Sequence, residues 1–242
     1  MTVEVCAFSL ESCLIAQRTG AGRVELCGGV GEGGTTPSYG LITLARRHLR
    51  IQLYVMIRPR GGDFLYSDTE RDVMRRDIEL AKEAGVDGVV LGLLNPDGSV
   101  DETRTAELVR LAHPLPVTFH RAFDLTRDPR EALEAVIRTG AKRILTSGQQ
   151  PRAEAGLPLL AELVRQAAGR IEIMAGAGVT ADNAARIAAA GVDAVHLTGK
   201  QITESAMRFR NPQVPMASAA LGEYELMGTD AGMVQAVVRA VS

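Results

Sequence analysis

One punctuation pattern recurs along the chain and limits the folds that it can adopt. A stretch with helical periodicity ends at a glycine, and a short apolar run begins directly after it. The pattern occurs at Thr19-Gly20-Ala21, Ala84-Gly85-Val86, Thr139-Gly140-Ala141 and Ala190-Gly191-Val192. Glycine at such a position supplies the left-handed conformation that ends a helix. Because helices alternate with strands that read as buried, the sequence predicts a parallel sheet covered by helices.

Eight short runs rich in Val, Ile and Leu, each followed by a Gly, Pro or Asp signal, are predicted as strands. They are residues 2–7, 23–26, 52–57, 88–93, 116–120, 143–146, 172–175 and 194–197. The helical patterns between and after them are residues 9–19, 37–48, 67–84, 101–111, 128–139, 157–168, 180–190 and 229–241. Residues 208–228 lack clear periodicity and are expected to form a long loop or a cover over one end.

Eight such units close into a (β/α)₈ TIM-type barrel, which usually needs about 250 residues. The chain has 242 residues and no Ser-rich or Pro-rich linker, so a single domain over 1–242 is expected. An open doubly wound sheet is the alternative.

Composition excludes several classes of protein. Apolar residues make up 46% and charged residues 23%, which is typical of a globular domain. The net charge of −2 gives no basic excess, so neither nucleic acid nor a membrane surface is an expected partner. The chain begins without a secretory signal, and its three cysteines do not make a disulfide framework. We therefore expect a cytoplasmic protein with reduced thiols.

In a barrel of this kind the pocket forms at the carboxyl ends of the strands. Two neighbouring strands end in the same pattern, Glu4-Val5-Cys6 and Glu25-Leu26-Cys27. In each pattern Glu and Cys share a face, because side chains alternate along a strand. Adjacent strands lie about 4.8 Å apart, so the two thiols could meet and bind Cu(I) or zinc. Simple packing is the alternative, since free cysteine is often buried.

Two arginines follow the third strand, in the segment that contains Arg58, Pro59 and Arg60. They could grip a phosphate or carboxylate, or they could pair internally with Glu4 or Glu25. Met56 shares the face of Arg58 and is either a soft thioether ligand or a core residue.

The fifth strand ends at His120, which could act as a general base, an oxyanion donor or a metal ligand. Asp124 could orient that imidazole or open the next turn. A hydrogen-bonded core histidine is the alternative.

Small residues follow the sixth and seventh strands, and they include Ser147, Gly176 and Gly178. A turn of this kind at a helix start can bind an anion, and loops seven and eight are the usual phosphate position in such barrels. A tight turn alone also needs glycine. His196 ends the eighth strand and could line the same mouth. The glycine-dense stretch 28–36 lacks the ending of a nucleotide-binding loop and is interpreted as a flexible or closely packed connection.

The chain resembles the CutC family, which is named for copper homeostasis. The matching segments are GAGRVELCGGVGEGGTTPS (20–38), MIRPRGGDFLYSD (56–68), LPVTFHRAFD (115–124), RILTSG (143–148), IMAGAGVT (173–180) and MRFRN (207–211). The resemblance implies a TIM-type barrel, a cytoplasmic role in copper handling, and Cu(I) bound by the cysteines that correspond here to Cys6 and Cys27.

Three functional hypotheses follow. The first is a Cu(I)-binding protein of copper homeostasis that uses Cys6 and Cys27. The second is a lyase or isomerase for a small phosphorylated or carboxylated compound. In it Arg58 and Arg60 bind the anion, His120 or Glu25 moves a proton, and the turn at 176–178 helps to hold phosphate. The third is a non-catalytic scaffold or a homo-oligomerisation module, in which mutations at the mouth affect only stability.

Overall fold

Eight parallel strands close into a barrel in chain order. The computed structural model describes residues 1–214, 216 and 221–242. The strands are β1 Thr2–Ala7, β2 Arg23–Leu26, β3 Gln52–Met56, β4 Gly88–Leu91, β5 Val117–Phe119, β6 Arg143–Thr146, β7 Glu172–Gly176 and β8 Ala194–Leu197. β1 pairs with β8, with Glu4 opposite His196, so the sheet has no open edge. The predicted (β/α)₈ barrel is confirmed, and the open sheet is ruled out.

Within the described part of the chain, eight α-helices surround the barrel. They are α1 Leu10–Arg18, α2 Tyr39–His48, α3 Asp68–Glu83, α4 Glu102–Ala112, α5 Pro129–Thr139, α6 Leu157–Ala167, α7 Ala181–Ala188 and α8 Ala231–Ala240. Local chemistry sets their ends. Ser67 begins α3 in a reciprocal capping box with Glu70, and Gly140 ends α5 at φ +84°. Pro37 directly precedes Ser38, the residue that caps α2.

The strands bury two different faces. Residues such as Val5, Leu26 and Val55 point outward and pack against the helices in the main hydrophobic core. Their neighbours point into the barrel, where Tyr54, Met56 and Val90 form a separate cluster with the two strand-end cysteines. This alternation explains why the strands read as continuous apolar runs broken by single polar residues.

The barrel interior below the mouth is filled by paired charges around one aromatic ring. Arg23 lies 5.0 Å and Arg143 5.4 Å from the ring centre of Tyr54. Arg23 bonds to Glu4, and Arg143 bonds to Glu172. Gly88 gives the ring its space, since a Cβ there would lie 2.5 Å from it. This floor closes the barrel, and any ligand must therefore enter from the opposite end.

A two-stranded antiparallel hairpin follows the barrel. It consists of β9 Lys200–Glu204 and β10 Glu225–Thr229. The prediction that 208–228 has no regular structure is therefore wrong at its end, because β10 begins inside it; residues 215 and 217–220 lie outside the described part. Lys200 and Met227, at the base of the hairpin, line the mouth of the barrel. Over the described residues, no helix combines the length and the apolar character needed to span a bilayer.

Candidate functional site

Two reduced thiols lie side by side at the mouth. Cys6 is opposite Glu25 in the β1–β2 register, and the backbone N–H of Cys27 donates to Ala7 O at 2.9 Å. Cys27 is thus one step beyond Glu25 on the same inward face, and its Sγ lies 3.8 Å from Sγ of Cys6. Both cysteines are free thiols. Their close approach agrees with the prediction from the sequence. Cys13 is also free but lies within the outer core.

The glycine-dense connection after β2 closes over Cys27. Gly34 adopts φ +100°, and a Cβ at this position would lie 3.2 Å from Sγ of Cys27. A short bridge between Gly28 and Thr35 draws the two ends of the loop together. Cys27 is consequently sealed at 1% exposure, whereas Cys6 lines the open cavity. The interpretation as a closely packed connection fits this geometry.

Arg58 holds the same loop in place. Its guanidinium donates to the carbonyls of Glu32, Gly34 and Gly62 at 2.7 to 2.8 Å. It also lies 4.9 Å from the ring centre of Phe64. The predicted alternative of an ion pair with Glu4 or Glu25 is wrong, because the side chain is turned toward the loop carbonyls. Arg58 still lines the cavity, so contact with an anion there stays a prediction.

Arg60 points away from the cavity. It pairs with Asp63 and Glu70 and stacks over Tyr66, 5.1 Å from the ring centre. Proline between the two arginines turns the chain, so Arg58 and Arg60 serve different surfaces. The structure thus does not bring Arg60 to the mouth.

His196 is held by a buried carboxylate. Its Nδ1 lies 2.8 Å from Oε1 of Glu4, and Arg23 bonds to the other carboxylate oxygen. Burial would raise the pKa of Glu4, but the His196 hydrogen bond and the Arg23 charge lower it to about 2. Burial likewise disfavours the His196 cation, yet bonds to Cys6 and Glu4 raise its pKa well above its usual value. Glu4 is therefore an ionised anchor for the imidazole.

Three different donors converge beside this pair. Sγ of Cys6, a carboxylate oxygen of Glu25 and a ring nitrogen of His196 all lie within 4.8 Å of one another. Nε2 of His196 is 3.8 Å from Oε2 of Glu25. The other Glu25 oxygen, Oε1, is buried and has no hydrogen-bond partner. The arrangement combines sulfur, oxygen and nitrogen ligands at one point of the cavity wall.

The pKa values of the two thiols and of Glu25 are shifted in different directions. The hydrogen bond from Cys27 and then that from His196 lower the pKa of Cys6 to about 6, against the effect of burial. The same contact with Cys6 and burial raise the pKa of Cys27. Burial and the Cys6 charge raise the pKa of Glu25. At neutral pH Cys6 is thus largely a thiolate, whereas Cys27 keeps its proton.

His120 is a neutral histidine on the opposite wall. Its Nδ1 accepts from the Ala122 N–H at 3.2 Å, and its Nε2 is buried with no partner. Burial and the nearby Arg58 charge lower its pKa to about 3. Gly92 makes room for the ring, since a Cβ there would lie 2.6 Å from Nδ1.

Asp124 organises the loop after β6 rather than His120. Its carboxylate accepts from the Ser147 N–H and hydroxyl, from the Thr146 hydroxyl, from the Gln149 N–H and from Arg121. The predicted contact with His120 is absent, because Asp124 faces the next strand. Ser147 is fully buried within this network and does not reach the cavity.

The β7 and β8 loops form the remaining wall. Gly178, at φ +69°, lines the cavity just before α7, and Gly199 and Gly232 line it beside α8. Gly176 lies in β7, where a Cβ would approach Leu145 to 2.6 Å, so its role in the structure is packing. Phosphate binding by this wall stays a prediction.

These walls enclose an open cavity of about 980 Å³, lined by Cys6, Glu25, His196, His120 and Arg58. Sequence reasoning missed the Glu4–His196 pair at the heart of the cluster. The two residues are 192 positions apart and meet only because β1 closes against β8.

Fold and site together define a class: a closed (β/α)₈ barrel with a buried soft-donor cluster at its mouth. The sequence model of the CutC family matches residues 1–201. The chain belongs to the CutC family.

Relatives are similar over nearly the whole chain. A protein of Chromobacterium violaceum named as a family protein CutC is 52% identical over 240 residues, covering 99% of this chain and 97% of that protein. A human protein named copper homeostasis protein cutC homolog is 49% identical over 230 residues, covering 94% of this chain and 84% of that protein.

Solved structures agree with the fold. The crystal structure of a CutC protein from Streptococcus agalactiae superposes with a TM-score of 0.78 at 37% identity, covering 81% of this chain and 97% of that one. A 3-hexulose-6-phosphate synthase superposes with a TM-score of 0.61 at 17% identity over 100% of both chains. The second likeness concerns the barrel architecture alone.

Proposed function

We propose that this chain is a cytoplasmic copper homeostasis protein that binds Cu(I) through Cys6 and Cys27. The observation that carries the proposal is the 3.8 Å separation of two reduced sulfurs at the mouth of the barrel. Thiolates and thioethers are the soft ligands that Cu(I) prefers. The names of curated relatives, including the human protein, point to the same cargo.

The spacing of the sulfurs favours a bent site. Two thiolates bound at about 2.3 Å to one ion lie roughly 3.8 Å apart at a tetrahedral angle and roughly 4.6 Å apart when linear. The pair already has the shorter distance. A third soft donor fits such an angle, and Met56 packs in the same cluster as the two thiols. We therefore expect Cu(I) to bind in a bent geometry with Met56 as a third ligand. Two thiolates alone would instead form a near-linear site.

Proton release should accompany binding. Cys6, with its pKa lowered to about 6, is a thiolate at neutral pH, whereas Cys27 holds its proton. Cu(I) binding at pH 7 to 8 therefore releases about one proton, and below pH 6 it releases about two. The pH dependence of affinity should steepen below about pH 6.

The test is an anaerobic Cu(I) titration against a competing chelator. Wild type is compared with Cys6→Ser and Cys27→Ser, and Cys13→Ala is the matched control for loss of a cysteine outside the cavity. The proposal expects a large loss of affinity in the first two variants and none in the control. Equal affinity in all four proteins would reject it.

An enzyme is the second candidate function, and the open cavity favours it. The cavity of about 980 Å³ is lined by His120 and Glu25, each of which has a buried polar atom without a partner, Nε2 and Oε1 respectively. A ligand could satisfy both, with a phosphate or carboxylate near Gly178. Phosphate and acetate soaks of crystals test this candidate, which predicts an anion at the β7 and β8 loops. A cavity that stays filled with water alone would speak against it.

A further inference from the structure

Cys6, Glu25 and His196 present a donor set that differs from the thiol pair. Their ligand atoms are one sulfur, one carboxylate oxygen and one imidazole nitrogen, all within 4.8 Å of one another. Each residue is at least nine-tenths buried, and each lines the cavity. Cu(I) selects sulfur, whereas zinc accepts sulfur, nitrogen and oxygen together.

The imidazole is already oriented for a metal. His196 contacts Oε1 of Glu4 through Nδ1 at 2.8 Å, which leaves Nε2 as the ring nitrogen that faces Cys6 and Glu25 and that would bind a metal after loss of its proton. A carboxylate behind the distal nitrogen is the usual support of a zinc-bound histidine, because it fixes the tautomer and the ring. Arg23 holds Glu4 from the other side, so this support is rigid.

Glu25 gives independent evidence for a bound ion. Its Oε1 is buried and bonds to nothing among the described residues, and the residue as a whole is 2% exposed. Buried polar atoms are almost always satisfied, and an exception calls for an explanation such as an ion. A cation beside Cys6 and His196 that Glu25 binds through both carboxylate oxygens would satisfy Oε1.

The ligand atoms, all within 4.8 Å of one another, would draw together by up to about 1.5 Å to hold an ion. Ligand atoms around a tetrahedral zinc are about 3.3 to 3.8 Å apart, given bonds of about 2.0 to 2.3 Å. Nε2 of His196 and Oε2 of Glu25 are 3.8 Å apart before any ion binds. Three protein ligands leave one position free, and because all three residues line the cavity we expect that position to face it. Sites with three ligands and an open position are those in which zinc polarises a bound water or substrate.

We propose that Cys6, Glu25 and His196 form a second, divalent-metal site of the zinc class, with its open position toward the barrel cavity. The site shares Cys6 with the Cu(I) pair but not Cys27, and it does not depend on Cu(I) binding. Its ligand in the open position would be a small molecule with an oxygen donor.

The test uses the full chain, reduced and free of copper, with Zn²⁺ in calorimetry and Co²⁺ as a spectroscopic substitute. We expect one ion per chain and a thiolate-to-cobalt charge-transfer band in the near ultraviolet. Cys27→Ser should keep the band and the zinc affinity while it loses Cu(I) affinity. His196→Gln and Glu25→Gln should lower zinc affinity by at least about 100-fold, the upper end of the effect of an outer partner, and should keep Cu(I) affinity.

His48→Gln is the matched control, because His48 is exposed at the end of α2 and does not line the cavity. The proposal is overturned if His196→Gln and His48→Gln have equal zinc affinity, or if Cys27→Ser abolishes the cobalt band. Should His196→Gln fail to fold, as circular dichroism would show, Glu25→Gln decides in its place, since it keeps the size of the side chain. Cu(I) affinity measured in the same proteins separates failure of this site from failure of the thiol pair.

Discussion

Two walls of the barrel mouth each contain a buried carboxylate, and the two carboxylates differ in how many hydrogen bonds they accept. On the β5–β6 wall, Asp124 accepts bonds from two backbone N–H groups, two hydroxyls and Arg121. On the β1–β2–β8 wall, Glu25 has one oxygen with no partner and a thiol 3.7 Å from the other. Burial without a partner costs free energy unless something else supplies the missing contact.

The contrast separates architecture from function within one pocket. A saturated carboxylate such as Asp124 holds a loop and has little left for a ligand. An unsaturated one such as Glu25, beside thiols and an oriented imidazole, is ready for an ion. Substitutions on one wall should therefore leave unchanged the property that depends on the other wall.

The largest effect is expected at Cys6, which belongs to both proposed metal sites. Cys6→Ser replaces a soft thiolate with a hard hydroxyl, so affinity for Cu(I) and for Zn²⁺ should both fall on the order of 1000-fold, or about 4 kcal/mol. Cys27→Ser should lower the affinity for Cu(I) but not the affinity for Zn²⁺. Parallel titrations of both variants check this asymmetry, and a variant of Cys6 that still binds either ion tightly would contradict it.

The next effect compares the two carboxylates directly. Asp124→Ala leaves several buried donors unpaired, so the free energy of unfolding should fall by about 3 kcal/mol with metal affinity unchanged. Glu25→Gln should change stability by less than about 1 kcal/mol while zinc affinity falls, because the amide has nearly the same shape as the carboxyl group and Oε1 has no partner to lose. Urea unfolding and metal titration of both proteins measure the two properties. The contrast between the walls fails if both variants lose the same property.

Local sequence patterns predicted the barrel well because each βα unit carries its own signals. The glycine stops, such as Gly140, and the caps, such as Ser67, act within a few residues. The approach of Cys6 to Cys27 was also predictable, since the alternation of side chains places both on the inner face of neighbouring strands.

The partners of the polar residues were not predictable in the same way. Glu4 meets His196 only through closure of the barrel between β1 and β8. Arg58 carries the charge expected of an anion site, yet three loop carbonyls take its guanidinium. Side-chain hydrogen bonds of this kind depend on tertiary geometry, which residue type and spacing alone do not specify.

A smaller effect concerns the loop that seals Cys27. Gly34→Ala places a methyl group 3.2 Å from Sγ of Cys27 at a φ of +100°, so we expect a loss of about 2 kcal/mol in stability and weaker Cu(I) binding. Gly40→Ala is the matched control, since nothing lies within 4 Å of a Cβ there and the residue is in α2. It should be neutral or stabilising by up to about 1 kcal/mol. Thermal unfolding and Cu(I) titration compare the pair; equal effects would mean that the loop does not constrain the thiol.

The last effect, which develops only in acid, is a pH dependence from His120. Its pKa falls from an ordinary 6.5 to about 3 because of burial and the Arg58 charge, so the unfolded chain takes up a proton in this range and the folded chain does not. The stability that this neutral imidazole contributes is therefore present above pH 6.5 and is lost as pH falls toward 3. His120→Gln removes the titration. The difference in unfolding free energy between wild type and His120→Gln should thus move in favour of the variant by up to about 1.4 kcal/mol per pH unit below pH 6. Urea unfolding of both proteins from pH 7.5 to 4.5 measures this difference. Glu4 and His196 titrate equally in both proteins, so their contributions cancel. A difference that does not change with pH would show that His120 gains a proton as readily in the folded barrel as in the unfolded chain.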